Sequence, residues 1–152
     1  MKLLSEIYYW LWLNKILFAP LSAFLIAQST KGILANIQSK KWGWQRFFEA
    51  GGMPSSHSAM VTALATASGL QYGWSSSLFT ITAIFALIVM YDAMGVRRAA
   101  GIHAKILNQM LEEMGRQDGK QNLKALKELI GHTPAEVLAG AIIGVVMATV
   151  VF

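Results

Sequence analysis

The sequence predicts an all-α fold, a small integral membrane helical bundle of about four transmembrane segments with a cytoplasmic helical hairpin inserted before the last one. Three observations carry that expectation. Hydrophobic residues fill 55% of the 152 positions and charged residues only 14%, which is too apolar for an ordinary soluble domain of this size. The apolar residues gather into four stretches, at 7 to 27, 58 to 72, 76 to 94 and 136 to 152. No run alternates with the period of two that marks a half-buried strand, and no unit repeats along the chain. At this length 1–152 reads as one domain.

The first stretch is kept as mature structure, because Asn14 and Lys15 interrupt it and aromatic residues dominate it, unlike the core of a cleaved signal. Pro20 leaves two readings open, a single span or a re-entrant, two-part helix. Residues 28 to 50 read as an amphipathic loop in the headgroup layer, with Trp42, Trp44, Phe47 and Phe48 interleaved among Lys40, Lys41 and Arg46. The second and fourth stretches are short for a span of about 20 residues. Each becomes long enough if its helix begins earlier, inside a histidine-bearing motif. The uncharged turn QYGWSSS joins the second and third stretches as a hairpin. Between the third and fourth, Ala99, Ile102, Ile106, Leu107, Met110, Leu111 and Met114 recur at helical spacing. A break at GRQDGKQ and a second short helix carrying Leu123, Leu126 and Ile130 complete the hairpin.

The net charge is +5, but its distribution argues against a nucleic-acid partner. Eleven of the thirteen basic residues fall in two loops, before the second stretch and between the third and fourth. Because the second and third stretches form a hairpin, both loops emerge on one side. The positive-inside tendency makes that side cytoplasmic and places the chain in the cell membrane, plasma or inner. The chain has no cysteine, which excludes disulfides, thiolate chemistry and cysteine-ligated metals.

Two motifs carry the chemistry. In GGMPSSHSA, at 51 to 59, two glycines let the backbone approach a ligand, Pro54 suits a first helical turn, and Ser55 or Ser56 can cap it. The free amides of such a helix start bind phosphate, and His57 beside them can protonate a leaving oxygen. The plainer reading is a capped helix start with an interfacial histidine. In GHTPAEVLAG, at 131 to 140, Thr133 and Glu136 make a capping box with Pro134 at the first helical position. Capping accounts for Glu136 without catalysis, but not for His132, which a nearby carboxylate can orient and make more basic. Gly140 and Gly144 give the spacing by which membrane helices pack closely, on this chain's last helix or against a second copy as a homodimer.

Asp92 ends the third stretch, where a carboxylate is costly. It either pairs with Arg97 or Arg98 to hold the helix end, or orients their guanidinium groups around phosphate oxygens. Lys31 either joins them or snorkels to the interface. His103 lies on an apolar helix face and is left out of the site. His57, His132, Asp92 and Glu136 have no helix-motif spacing for a metal, so none is expected.

Together these residues resemble the type 2 phosphatidic acid phosphatase and vanadium haloperoxidase superfamily, in its small divergent branch of bacterial and plastid membrane proteins. Pro54-Ser55-Ser56-His57 is similar to that superfamily's PSGH signature. His132, Glu136, Val137, Gly140 and Gly144 are similar to its later His-x-x-x-Asp-Val-x-x-Gly-x-x-x-Gly. The divergent branch resembles the chain across GGMPSSHSA, YDAMGVRRAAG and GHTPAEVLAG, about two thirds of its length. The chain departs from the signatures in having Ser56 for glycine, Glu136 for aspartate, and Leu126 where an arginine is usual, with Arg97 and Arg98 standing before the hairpin. The resemblance implies a metal-independent, cofactor-free hydrolase of a lipid phosphate or isoprenoid diphosphate. In it His132 would form a phosphohistidine, Glu136 would orient it, His57 would protonate the leaving alcohol, and Ser55, Ser56, Lys31, Arg97, Arg98 and Asp92 would bind or position the phosphate. The alternative from another class is a non-hydrolytic protein that binds or transports phosphorylated lipids through the same cationic pocket.

Overall fold

The computed structural model describes residues 14–40, 42–48, 51–118, 126 and 131–152. The described helices are α1 (Lys15–Ser39), a 3-10 segment (Trp44–Phe48), α2 (Ser56–Tyr72), α3 (Ser77–Met94), α4 (Val96–Asp118) and α5 (Pro134–Val151), and no strand occurs among the described residues. The all-α expectation is met. α1, the run that begins at Ser77, and α5 are each long and apolar enough to cross a membrane. α2 has 17 residues, a rise of about 25 Å at 1.5 Å per residue, and is the short member of the bundle.

α2 lies at the centre, packed against α1, α3 and α5, and α1 and α3 make no contact with each other among the described residues. Small side chains permit this. Ala19, Ala23 and Ala27 of α1 and Ala59, Ala63 and Ala67 of α2 recur every four residues, so each set forms one stripe, and the two stripes meet Ala148 and Val151 of α5 in one buried cluster. Val61 and Ala65 on another side of α2 meet Ala86 of α3. α1 and α5 run antiparallel, for Lys15 Nζ donates to the carbonyl of Phe152 at 3.4 Å and lies 5.1 Å from its ring centre.

The closest approach is between α2 and α5. A Cβ on Gly144 would stand 2.3 Å from the Ala59 carbonyl and 2.0 Å from Thr62 Oγ1, and one on Gly140 would stand 2.2 Å from the Ser55 carbonyl. The Thr62 hydroxyl, 2.7 Å from the carbonyl of Ser58 in its own helix, is also 3.2 Å from that of Ala141 across the interface. The glycine face of the last helix is therefore occupied inside the chain.

Of the two readings open at Pro20 the unbroken helix is the one observed, for α1 passes through it and gives up only the amide bond a proline cannot donate. Two other expectations are revised. The supposed loop from residue 28 is helical as far as Ser39. Its polar residues face a partner: the Gln28 amide donates to the Phe47 carbonyl, the Phe47 ring lies on Gly32, and Asn36 Oδ1 accepts the Gly43 amide at 2.7 Å. Gln28, Gly32 and Asn36 thus make one face that seats the aromatic segment. Finally, α4 extends into the expected break as far as Asp118, and the rest of the break, residues 119–121, lies outside the described residues. Of the second short helix only Leu126 is described; Leu123 and Ile130 lie outside the described residues, as do residues 1–13 of the first stretch. The Asn108 side chain holds Leu126 by accepting its amide at 2.7 Å and donating to its carbonyl at 2.8 Å.

Candidate active site

The two histidine motifs start two helices, and the structure ties those starts together. Ser55 is the N-cap of α2, its hydroxyl accepting from the Ser58 amide at 3.4 Å and from the Ser58 hydroxyl at 3.0 Å. Pro54 stands one position before that cap, not in the first turn as its type suggested. Thr133 is the N-cap of α5 and forms the full capping box: its hydroxyl accepts the Glu136 amide at 3.4 Å, and Glu136 Oε2 accepts the Thr133 amide at 2.9 Å. The Ser55 amide then donates to the Glu136 carbonyl at 3.0 Å. Two positive helix ends are thereby brought to one place.

α3 supplies the third anchor. The His132 amide donates to the Ala93 carbonyl at 3.1 Å, in the last turn of α3, where the helix leaves carbonyls without partners of their own. Gly131 makes this possible, since a Cβ there would lie 2.3 Å from the Arg98 Cα. Sequence reasoning missed both contacts. The only available signal was the glycine before His132, and its partner is remote backbone.

His132 is buried, with Nδ1 enclosed and without a hydrogen-bond partner among the described residues. Burial holds its imidazole below the ordinary histidine pKa; the Glu136 charge opposes this, and His57, Lys31 and Arg97 reinforce it. The expected orienting bond from Glu136 is absent, because the carboxylate serves the cap, and Glu136 acts on His132 through charge alone. The neutral imidazole favoured by this setting keeps a lone pair for attack.

The cationic residues come from separate elements. Lys31 is buried on α1, in line with Ala19, Ala23 and Ala27, and its stem lies 3.5 Å from where a Cβ of Gly52 would be. Gly51 and Gly52 have φ of 80° and 84°, in the left-handed region that suits glycine. Arg97 Nε donates to Asp92 Oδ2 at 2.6 Å across the joint between α3 and α4. The pair bridges the end of α3 and the start of α4, as the first reading of Asp92 has it. Arg98 is exposed, and its N, Cα and Cβ crowd Gly131, the residue before His132. His57 is exposed and sets its ring edge-on to Phe24 of α1 at 6.4 Å. Ser56 is buried in the first turn of α2, while the hydroxyl of Ser55 is taken up by its cap. Among the described residues no three of His, Asp and Glu stand together as metal ligands.

The fold is thus a membrane protein's helical bundle, in which His57, Lys31 and Arg97 act on His132 near the joined starts of α2 and α5. Residues 12–147 match the sequence profile of the divergent PAP2 family. The chain belongs to that family. It is also 42% identical over 147 residues, 90% of this chain and 93% of the relative, to an uncharacterized membrane protein, YuiD, of Bacillus subtilis (strain 168). No solved structure matches.

Proposed function

We propose that the protein is a membrane phosphatase that hydrolyses a lipid phosphate or isoprenoid diphosphate without a metal. One observation carries this reading: the buried His132 sits at the joined starts of α2 and α5 under the combined charge of Lys31, Arg97, His57 and Glu136. A phosphoryl group placed there meets helix amides, a lysine and an arginine around its equatorial oxygens, which is where its transition-state charge lies. A ring nitrogen of His132 attacks phosphorus, the bond from phosphorus to the lipid oxygen breaks, and protonated His57 gives its proton to that oxygen. Water then attacks the phosphohistidine, His57 takes the water's proton, the phosphorus–nitrogen bond breaks, and phosphate leaves. The lipid tails stay in the bilayer beside the apolar helices. By charge asymmetry the site faces the cytoplasmic side of the cell membrane.

The geometry of Glu136 favours a second reading. With its carboxylate in the cap and His132 Nδ1 unpartnered among the described residues, the pocket also suits a protein that binds or moves phosphorylated lipids without cleaving them. Phosphate release by the purified protein from phosphatidic acid, phosphatidylglycerol phosphate and undecaprenyl diphosphate, with and without EDTA, separates the two. Release that survives EDTA and vanishes in His132→Ala supports the hydrolase. Headgroup binding that survives His132→Ala, with no release from any of the lipids, supports the binding protein.

A further inference from the structure

The amphipathic helix α4 takes no part in the chemistry above. Val96, Ile102, Ile106, Met110 and Met114 recur along it at helical spacing and are 44–66% exposed. Its buried side is different. Gly101 and Ala104 are buried and Asn108 clasps Leu126, and at 3.6 residues per turn this side is about 160° around the axis from the apolar one. Leu126 thus lies on one side of α4, and among the described residues the apolar side is open.

We propose that this open face lies on the anionic lipid surface at the basic end of the bundle. Continuity with lipid is the first argument. Gly95 alone separates α4 from α3, and the exposed Leu87, Ile88 and Tyr91 on the membrane-crossing α3 lead directly to Val96. Charge is the second. α4 carries four basic against three acidic side chains and the following residues 119–130 three against one, a net positive balance of the kind that draws an amphipathic segment to anionic headgroups while its apolar face enters the acyl boundary. The first turn of α4 also holds Arg97, paired with Asp92, and the Arg98 backbone that seats Gly131 beside His132. A helix pinned to the leaflet fixes that joint. The inference does not depend on whether the site cleaves its ligand.

The chain has no cysteine, so single cysteines can be placed at Ile106 and Met110 on the apolar face and at Lys105 and Glu112 on the polar one. Each full-length variant is nitroxide-labelled and reconstituted in vesicles of phosphatidylcholine, with or without phosphatidylglycerol. The ratio of oxygen to nickel-chelate collision rates is expected to be several-fold higher at 106 and 110 than at 105 and 112, and the contrast to grow with phosphatidylglycerol. Met114 replaces either apolar position whose variant does not accumulate. Equal ratios at all four positions would overturn the proposal, because the helix would then project into water. Spin–spin broadening at 106 and 110 that disappears on dilution with unlabelled protein would also overturn it, by showing a second copy on the face. A contrast indifferent to phosphatidylglycerol would remove the anionic preference.

Discussion

The amide of Ser55 and the carbonyl of Glu136 meet at 3.0 Å, joining the first turns of α2 and α5. Through that bond the two histidine motifs, 75 positions apart at His57 and His132, become parts of one site. The glycines below it, Gly140 and Gly144, decide how closely the two helices approach.

Gly144→Ala is accordingly expected to destabilise the bundle. Its Cβ would meet backbone of Ala59 and Ala63, which has nowhere to yield, and the cost should be about 1–3 kcal/mol or more. Ile142→Ala, on the exposed side of the same helix, should cost much less. Unfolding in mixed detergent micelles compares the two.

In the proposed phosphatase His132 must be neutral to attack, and its pKa is held below the ordinary 6.5. Phosphate release should therefore persist below pH 6.5 and fall only as the pH drops through the lowered value. Over the same window the unfolded chain binds a proton before the folded one, so stability also declines as the pH falls from about 6.5. A pH–rate profile and a ring titration of His132 by NMR check the two halves.

Glu136→Gln separates the two tasks of this residue. Glutamine can still complete the capping box, so α5 should keep its start. The charge that raises the His132 pKa disappears, and the acid limb should move to still lower pH. Thr133→Ala should do the reverse, costing about 1 kcal/mol of helix stability with little change in the limb.

Arg97→Gln should leave stability within about 1 kcal/mol, because its pair with Asp92 is well exposed. Its loss from the proposed phosphate site should weaken binding of phosphatidic acid by about tenfold or more. Equal binding by the variant and the wild-type protein would place Arg97 outside the site.

The helix starts were legible from sequence because their chemistry is local. Ser55 lies three residues from the Ser58 it caps, and Thr133 three from Glu136. The length of α1 was not legible. Gln28, Ser29, Thr30 and Lys31 have the polarity of a loop, and what makes their helix face useful arrives later in the chain, at Gly43 and Phe47. The histidines and their cationic company could be read from residue type. The Ala93 carbonyl that anchors His132 could not, since any residue can offer a backbone acceptor. Glu136 was ambiguous for a similar reason: a carboxylate three residues into a helix serves a cap or a neighbouring imidazole equally well until its hydrogen bonds are seen.

The central place of α2 bears on how the chain is made. Eleven of its residues, among them Ser56, Ser58, Thr62, Thr66 and Ser68, are buried, so most of its surface is meant for protein and not for acyl chains. A short helix this rich in hydroxyl groups is a poor candidate to leave the insertion machinery unaided. The carbonyl of Ala141 beside Thr62 is synthesised 79 residues later. α2 should therefore wait at the translocon, or slip back out, until α5 arrives. Glycosylation mapping of nascent chains truncated before Pro134 and after Phe152 is expected to find α2 unstably inserted in the first and fully inserted in the second.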